Sequence, residues 1–547
     1  MHRRGPRLLV AAMVALIVAA LGIWAQTDSL VGVGYDDGIY ALLSRAVVNG
    51  DGYRLTHLPV PVPGVKYPPV YPVSLTPFWA LAGSQESALA LMKLANGLYI
   101  GIAAGLFVYL LASLGLLSLP LAAAVGVVGF GAGSMMLVTS ALLSEPLYLV
   151  LLFGSLLMAD RTGPRPGAGR LVALGALVGL VALTRTIGLA AVAAVVVGVG
   201  VFARVEGRRW IVVASAAALV LAPWLAFTLM TADQVPFVLV PRYGSYVQFY
   251  LANLAGSPSA AIGIFTTNAG AILETIGAKL APLSSSALRA ATGAAFLALA
   301  AFGSRRAFDR APSTVIYAWL YLALISVWAF PPFRFVFILF PLLLALAAIP
   351  VAEIAAAARE RALAEARATR LSGAGTLLAL VGVLCLAYLG YREARSVYFR
   401  VWEPAQLAST TSARDLIDWV RANTAPDAIV AFELDPLIAL HTGRRAVPNN
   451  YEPVHIWYRR DVDPVEPLAH LLEEMRVDVL AVRRDVPAAA GPIDALLGRY
   501  PDSLRLVDLT PNGVMIFRTN LNRIAGTAGT AKPITGSAGE GGRNREN

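Results

Sequence analysis

Long apolar stretches alternate with short polar connections along this chain. Eleven of them read as membrane helices: 8–25, 88–111, 119–139, 144–159, 171–184, 187–203, 210–230, 289–303, 313–330, 333–350 and 372–390. A helix needs about 20 apolar residues to cross a bilayer core, so the short runs 144–159, 171–184 and 289–303 are the weakest of the set. Three polar pieces remain, namely 26–87, 231–288 and everything after about 391. In the last piece, Ser412 to Ala422 and Pro467 to Met475 have helical periodicity, while Ala428–Phe432, Val477–Val482 and Val514–Phe517 are short apolar runs typical of buried strands. The pattern predicts a polytopic α-helical membrane region over 1–390, an α/β domain over 391–519, and a disordered Gly-, Ala-, Thr- and Ser-rich tail over 520–547.

Composition agrees with this reading and excludes a soluble enzyme. Of 547 residues, 57% are hydrophobic and 14% charged, against about 45–50% and about 25% in ordinary soluble chains. The net charge of +10 would suggest nucleic acid in a soluble protein. In a membrane protein it reflects basic cytoplasmic loops, and no nucleic-acid partner is expected. The basic groups Arg3-Arg4-Arg7, Arg161-Arg165-Arg170, Arg204-Arg208-Arg209, Arg305-Arg306-Arg310 and Arg359-Arg361-Arg367-Arg370 fall on one side if the N-terminus is cytoplasmic. The other side is poorer in basic residues. The run at 8–25 then acts as a signal anchor, 171–203 is a hairpin turning at Thr184-Arg185-Thr186, and the C-terminal domain lies outside. The single cysteine, Cys385, permits no intrachain disulfide and is expected to be a small core residue. There is no nucleotide-binding glycine motif, solenoid repeat or His-rich cluster.

The candidate chemistry collects on the outer face. The first outside loop contains Tyr35-Asp36-Asp37 ahead of Ile39, Leu42, Leu43, Ala46 and Val47, a helical stripe expected to lie along the membrane surface. Asp36 and Asp37 would serve a helix start as cap and dipole partner, or serve chemistry. The same choice faces Glu145 in Ser144-Glu145-Pro146, where the proline suits a first helical turn. Lys66-Tyr67-Pro68-Pro69-Val70-Tyr71-Pro72 is an extended, aromatic approach to the membrane. Arg185 and Arg334 are lone cations flanked by apolar sequence, costly there unless they snorkel to the headgroups, pair, or face a polar cavity. Under the topology above, Asp36, Asp37, Lys66, Glu145, Arg185 and Arg334 all share one membrane face.

These pieces, in this order over about residues 8–350, resemble the GT-C superfamily of membrane glycosyltransferases. The likeness is to glycosyltransferase family 39 with its protein mannosyltransferase and aminoarabinose transferase relatives. It rests on Tyr35-Asp36-Asp37, Lys66-Tyr-Pro-Pro-Val-Tyr-Pro, Leu143-Ser-Glu-Pro-Leu-Tyr, Ala182-Leu-Thr-Arg-Thr-Ile-Gly188 and Pro332-Phe-Arg-Phe-Val-Phe-Ile-Leu-Phe-Pro341. The resemblance implies a GT-C fold of about 11 membrane helices in the plasma membrane, bacterial by expectation. It implies transfer of a hexose or pentose from a polyprenyl-phosphate donor to a cell-envelope glycan or lipid on the outer face. It further implies Asp36 as base with Asp37 orienting it or the acceptor, Glu145 near the phosphate, and Lys66, Arg185 and Arg334 on the phosphate. Tyr35, Tyr67 and Tyr71 would touch substrate, and Asp36 and Glu145 would be the ligands of a divalent metal in relatives that use one. Three departures matter, the first being Asp36-Asp37 where the protein mannosyltransferase branch usually carries Asp-Glu. A Glu-Lys pair directly precedes the prolines in the aminoarabinose branch, where Val65-Lys66-Tyr67 stands here, and 231–288 is too short for the lumenal domain of protein mannosyltransferases.

Two readings from other classes stand beside this one. A secondary transporter would place its charges near the bilayer midplane and show inverted repeats. A non-catalytic scaffold would tolerate neutralisation of Asp36, Glu145 and Arg334 alike. For the outer domain, His441, Arg444, Tyr451 and Trp457 are candidates for acceptor docking, against the simpler role of a cap.

Overall fold

The computed structural model describes residues 4–202, 208–248, 250, 258–365, 373–449, 465–484 and 487–522. All eleven apolar runs form helix. They correspond to Arg4–Trp24, Gln85–Ser113, the pair Leu119–Phe130 and Gly133–Ser140, Glu145–Asp160, Ala168–Thr184, residues 186–202, Trp210–Thr231, Ser286–Ala307, Pro312–Ser326, Phe333–Glu365 and Gly373–Tyr398. Five of these are long and apolar enough by themselves to cross a bilayer. The run expected as one span over 119–139 is instead two helices bent by 56°, because Ala132 is extended (ψ 145°) after Gly131 leaves the helical region. The protein is a polytopic helical membrane protein with a C-terminal α/β domain.

Close backbone approach fixes the first helix. Gly97, Gly101 and Gly105 recur every four residues on Gln85–Ser113 and face Arg4–Trp24, where a Cβ on Gly101 would stand 2.5 Å from both the Ala15 carbonyl oxygen and the Ala19 Cβ. Small residues at this spacing let two membrane helices pack without side chains between them.

The segment 231–288, expected to lie outside the helical region as loop, contains the 23-residue helix Pro258–Leu280. It packs antiparallel on Ser286–Ala307, with Gly277 against Arg289 and Gly293 against Leu273. Thr266, Asn268, Glu274 and Lys279 dilute its hydropathy, which is why it does not stand out as a span. Cys385 is exposed rather than in the core.

The helix Asp36–Asn49 ends at Gly50, which is left-handed (φ 82°) and donates its N–H to the carbonyls of Ala46 and Val47. Its apolar stripe does not rest on a membrane surface. Residues 37–44 are all buried, sandwiched between the helical region and the helix Asp435–Thr442 of the C-terminal domain. A two-residue ribbon, Arg54–Leu55 with Val62–Pro63, then leads to the helix Val70–Leu81.

The C-terminal domain is a five-stranded mixed sheet. Ile429–Ala431 is flanked in parallel by Arg445–Val447 and Val479–Arg483, and Val514–Thr519 and Leu504–Leu509 add antiparallel on the far side. Glu403–Asn423 buries Leu416, Ile417 and Val420 against Val430, Phe432, Ala481 and Ile516. The anticipated helices and strands are present, with Arg445–Val447, Leu504–Leu509, Asp435–Thr442 and Pro487–Arg499 in addition. Gly373–Tyr398 runs beyond the expected boundary at 391. Tyr451, Trp457 and most of the 520–547 tail lie outside the described residues.

Candidate active site

A cavity of about 370 Å³ lies between the 26–87 segment, the Arg185 break and the start of Phe333–Glu365. Asp36, Lys66, Arg185, Arg242 and Arg334 are its charged wall, and Tyr35, Tyr40, Tyr67, Tyr246, Trp328, Phe330, Phe333 and Phe335 supply most of its aromatic surface.

Local sequence explains how each charge arrives. Tyr35 takes a positive φ (63°) that is rare for a bulky residue. It is held by a tight turn in which Tyr35 N donates to the Gly32 carbonyl at 3.1 Å and Asp36 N to that of Gly34 at 2.9 Å. This turn aims Asp36 at the cavity from the first residue of its helix. Arg185 is extended (φ −150°, ψ 132°) between the end of Ala168–Thr184 and a short 3₁₀ turn, so the expected hairpin turn is a break that directs a guanidinium inward. Arg334 belongs to the first turn after Pro331-Pro332.

Arg334 joins two acids. Its Nη2 lies 2.8 Å from Asp36 Oδ2 and its Nε 3.1 Å from Glu145 Oε1. Arg185 Nη1 lies 2.8 Å from Glu145 Oε2 and donates to Ser144 Oγ at 2.9 Å. Glu145 is fully buried behind the cavity, and its oxygens, although at ion-pair distance from both guanidinium groups, make no aligned hydrogen bond among the described residues. Asp36, 22% exposed, also accepts from the Tyr67 hydroxyl at 3.1 Å. Lys66 donates to the Arg242 carbonyl at 2.8 Å and sits 5.0 Å from the Phe330 ring centre. The Arg242 guanidinium stacks 3.6 Å from the Tyr35 ring centre. Tyr40 packs edge-on to Tyr67 and Tyr71 and shares a 3.1 Å hydrogen bond with Ser144.

Burial alone would raise the Asp36 carboxyl, but the field and hydrogen bond of Arg334, followed by Lys66 and Arg185, outweigh it and hold the group below the ordinary carboxylate range. Asp37 goes the other way. Burial pushes it up to about 6 despite the amides of Gly32 and Gly38, which donate to its two oxygens at 2.9 Å each.

The structure therefore brings Asp36, Lys66, Arg185, Arg334, Tyr35 and Tyr67 to one cavity, with Glu145 beneath them. It does not bring Asp37, whose carboxylate is turned into the loop backbone, or Tyr71, which is buried and donates to Asn96 Oδ1 at 3.0 Å. Arg242, Tyr40 and Tyr246 are cavity residues that sequence reasoning left out. Among the described residues, no group of three or more His, Cys, Asp or Glu could hold a metal ion. Asp36 and Glu145, the pair named for that role, are already bridged by the Arg334 guanidinium, so these donors do not fit a divalent cation.

No protein-family profile and no curated protein matches the sequence. Solved structures do. The chain aligns with ArnT from Cupriavidus metallidurans bound to undecaprenyl phosphate at 13% identity and a TM-score of 0.53, covering 94% of this chain and 98% of that one. The apo state of the same protein aligns at 14% identity and 0.52 over the same shares. The arabinofuranosyltransferase AftD from mycobacteria aligns at 15% identity and a TM-score of 0.42, over 94% of this chain and 40% of that one. The fold is thus the GT-C type expected from the motifs.

Proposed function

We propose that this protein is a glycosyltransferase that moves a hexose or pentose from a polyprenyl-phosphate donor to a hydroxyl of an envelope glycan or lipid. The reaction takes place at the outer face of the plasma membrane, with the N-terminus cytoplasmic and the C-terminal domain outside. The observation that carries the reading is the gathering of Lys66, Arg185, Arg242 and Arg334 around the single carboxylate of Asp36, over an aromatic wall. Four cations suit a phosphate, and guanidinium groups suit it bidentately. The aromatic wall suits the adjoining isoprenoid and the sugar ring. The shared fold with a protein solved bound to undecaprenyl phosphate supports the same ligand class.

The present pairing also suggests how the site switches on. Arg334, while paired with Asp36, neutralises it and makes it a poor base. A donor phosphate competes for that guanidinium, weakens its hold on Asp36, and so frees Oδ2 and raises its basicity. Asp36 then takes the proton of the acceptor hydroxyl as the oxygen attacks the anomeric carbon. The bond from that carbon to the phosphate oxygen breaks, and the lipid phosphate leaves with the electron pair. Lys66, Arg185 and Arg242 stabilise the charge that grows on it. Glu145 acts beneath them by fixing Arg185 and Arg334 in place. Atoms and charge balance without a metal.

Titration of purified protein with undecaprenyl phosphate in detergent tests the donor site. Wild type should bind, and Arg334→Gln should bind about 10- to 100-fold more weakly, the scale of a charge-assisted hydrogen bond. Equal binding by the two proteins would place the phosphate elsewhere.

A further inference from the structure

A second polar cluster lies outside the cavity, and three separate outer segments build it. His57 of the first loop, Tyr243 of the second and Asp435 of the C-terminal domain meet on one oxygen. His57 Nε2 is 3.1 Å from Asp435 Oδ2 and 3.3 Å from the Tyr243 hydroxyl, which also donates to Oδ2. Asp435 and Tyr243 are fully buried and His57 nearly so. A buried polar cluster of this kind is costly unless its partners stay in register.

The cluster leads directly into the cavity. Tyr243 follows Arg242, whose carbonyl receives Lys66 and whose guanidinium covers Tyr35, the residue before Asp36. The helix that begins with Asp435 also presses on the turn around Asp36. A Cβ on Gly32 would stand 2.6 Å from the Leu437 Cβ, and one on Gly38 2.8 Å from that of Pro436. Further along the same helix, His441 Nε2 lies 2.9 Å from the Val31 carbonyl oxygen. The outer domain therefore grips the loop bearing the proposed base from one side and the loop bearing a phosphate cation from the other.

We propose that Asp435 is a positioning residue and that the C-terminal domain is a structural part of the active site rather than a cap over it. Resting on the function proposed above, Asp435 acts through Tyr243 on Arg242 and Lys66, and so on the affinity for the lipid phosphate. Its helix acts through Gly32 and Gly38 on the placement of Asp36.

The test uses full-length protein in detergent, with Asp435→Asn and Tyr243→Phe as separate and combined variants. Two readouts are taken: undecaprenyl phosphate affinity and hydrogen exchange of the amides at 31–38. Each single variant should bind about tenfold more weakly. The double variant should be no worse than the weaker single, as expected of groups acting as one unit, and exchange at 31–38 should quicken while that of Gln85–Ser113 does not. A merely structural role would lower the melting temperature and leave the affinity of the folded protein intact. Folded variants that bind as wild type does would overturn the proposal. Should Asp435→Asn not fold, Tyr243→Phe, which removes one hydroxyl, decides alone. If wild type itself does not bind the lipid, the proposed function fails, and the exchange at 31–38 still decides whether Asp435 positions the loop.

Discussion

The guanidinium of Arg334 stands 2.8 Å from the carboxylate of Asp36, across 298 positions of sequence. Both groups face the cavity, and the same guanidinium reaches Glu145 through its Nε. A cation that bridges two acids through two different nitrogens cannot be replaced by a point charge. Arg334→Lys should keep the charge yet satisfy only one acid. Lipid-phosphate affinity should fall about tenfold, as for one lost charge-assisted contact, and binding by isothermal titration would read it directly.

Glu145 makes a different prediction, about folding. It is fully buried between Arg185 and Arg334. Removing one partner of a buried ion pair leaves uncompensated charge and typically costs about 3–5 kcal/mol. Glu145→Gln should therefore lower thermal stability by far more than Glu86→Gln, which changes an exposed acid at a helix start. Matched melting curves in the same detergent would show no difference if Glu145 were not the counter-charge.

Asp37 predicts a pH dependence of stability. Its folded carboxyl is raised to about 6 from an ordinary 3.8. Between these values the folded state holds a proton that the unfolded chain has lost, so the contribution is favourable below about 3.8 and is lost as pH rises through about 6. Melting temperature should fall more steeply over that window in wild type than in Asp37→Asn. Parallel curves would show that the burial of Asp37 does not govern its ionisation.

The first helix predicts a packing effect with no chemistry. A Cβ at Gly101 has no room beside Ala15 and Ala19. Gly101→Val should destabilise by about 1–3 kcal/mol, the usual scale of overpacking, whereas Gly83→Ala, with no atom near its Cβ position, should not. Denaturant-resistance assays of the two variants side by side would detect the contrast.

Much of this architecture was legible because the bilayer is an uncompromising solvent. All eleven apolar runs became helices, since any other backbone in lipid would leave its polar groups unsatisfied. The helix Pro258–Leu280 was not legible, as Asn268, Glu274 and Lys279 interrupt its apolar surface. Asn268 is nonetheless buried, donating to the Ile325 and Trp328 carbonyls. Strand Arg445–Val447 is only three residues long, too short for a period to register.

The cavity residues were legible in proportion to how unusual they look locally. A lone Arg185 or Arg334 inside apolar sequence is conspicuous. Arg242 is also flanked by apolar residues, Val238-Leu239-Val240-Pro241, but it borders no predicted span, and its place beside Lys66 arises from a contact spanning 176 residues. Asp36 and Asp37 are adjacent acids at one helix start, and only the family resemblance gave them different roles, Asp36 as base and Asp37 as its orienting partner. The turn at Gly32 to Tyr35 separates them, giving one to the cavity and the other to the backbone.

The most direct measurement is sugar release by purified wild type and Asp36→Asn, side by side, over a panel of radiolabelled polyprenyl-phosphate sugars with envelope lipid extract as acceptor. Wild type should turn over at least one donor, and the variant should lose about 10²- to 10⁴-fold, the range for removing a general base, while binding undecaprenyl phosphate at least as tightly as wild type. Near wild-type transfer by Asp36→Asn would contradict the role of Asp36 as base.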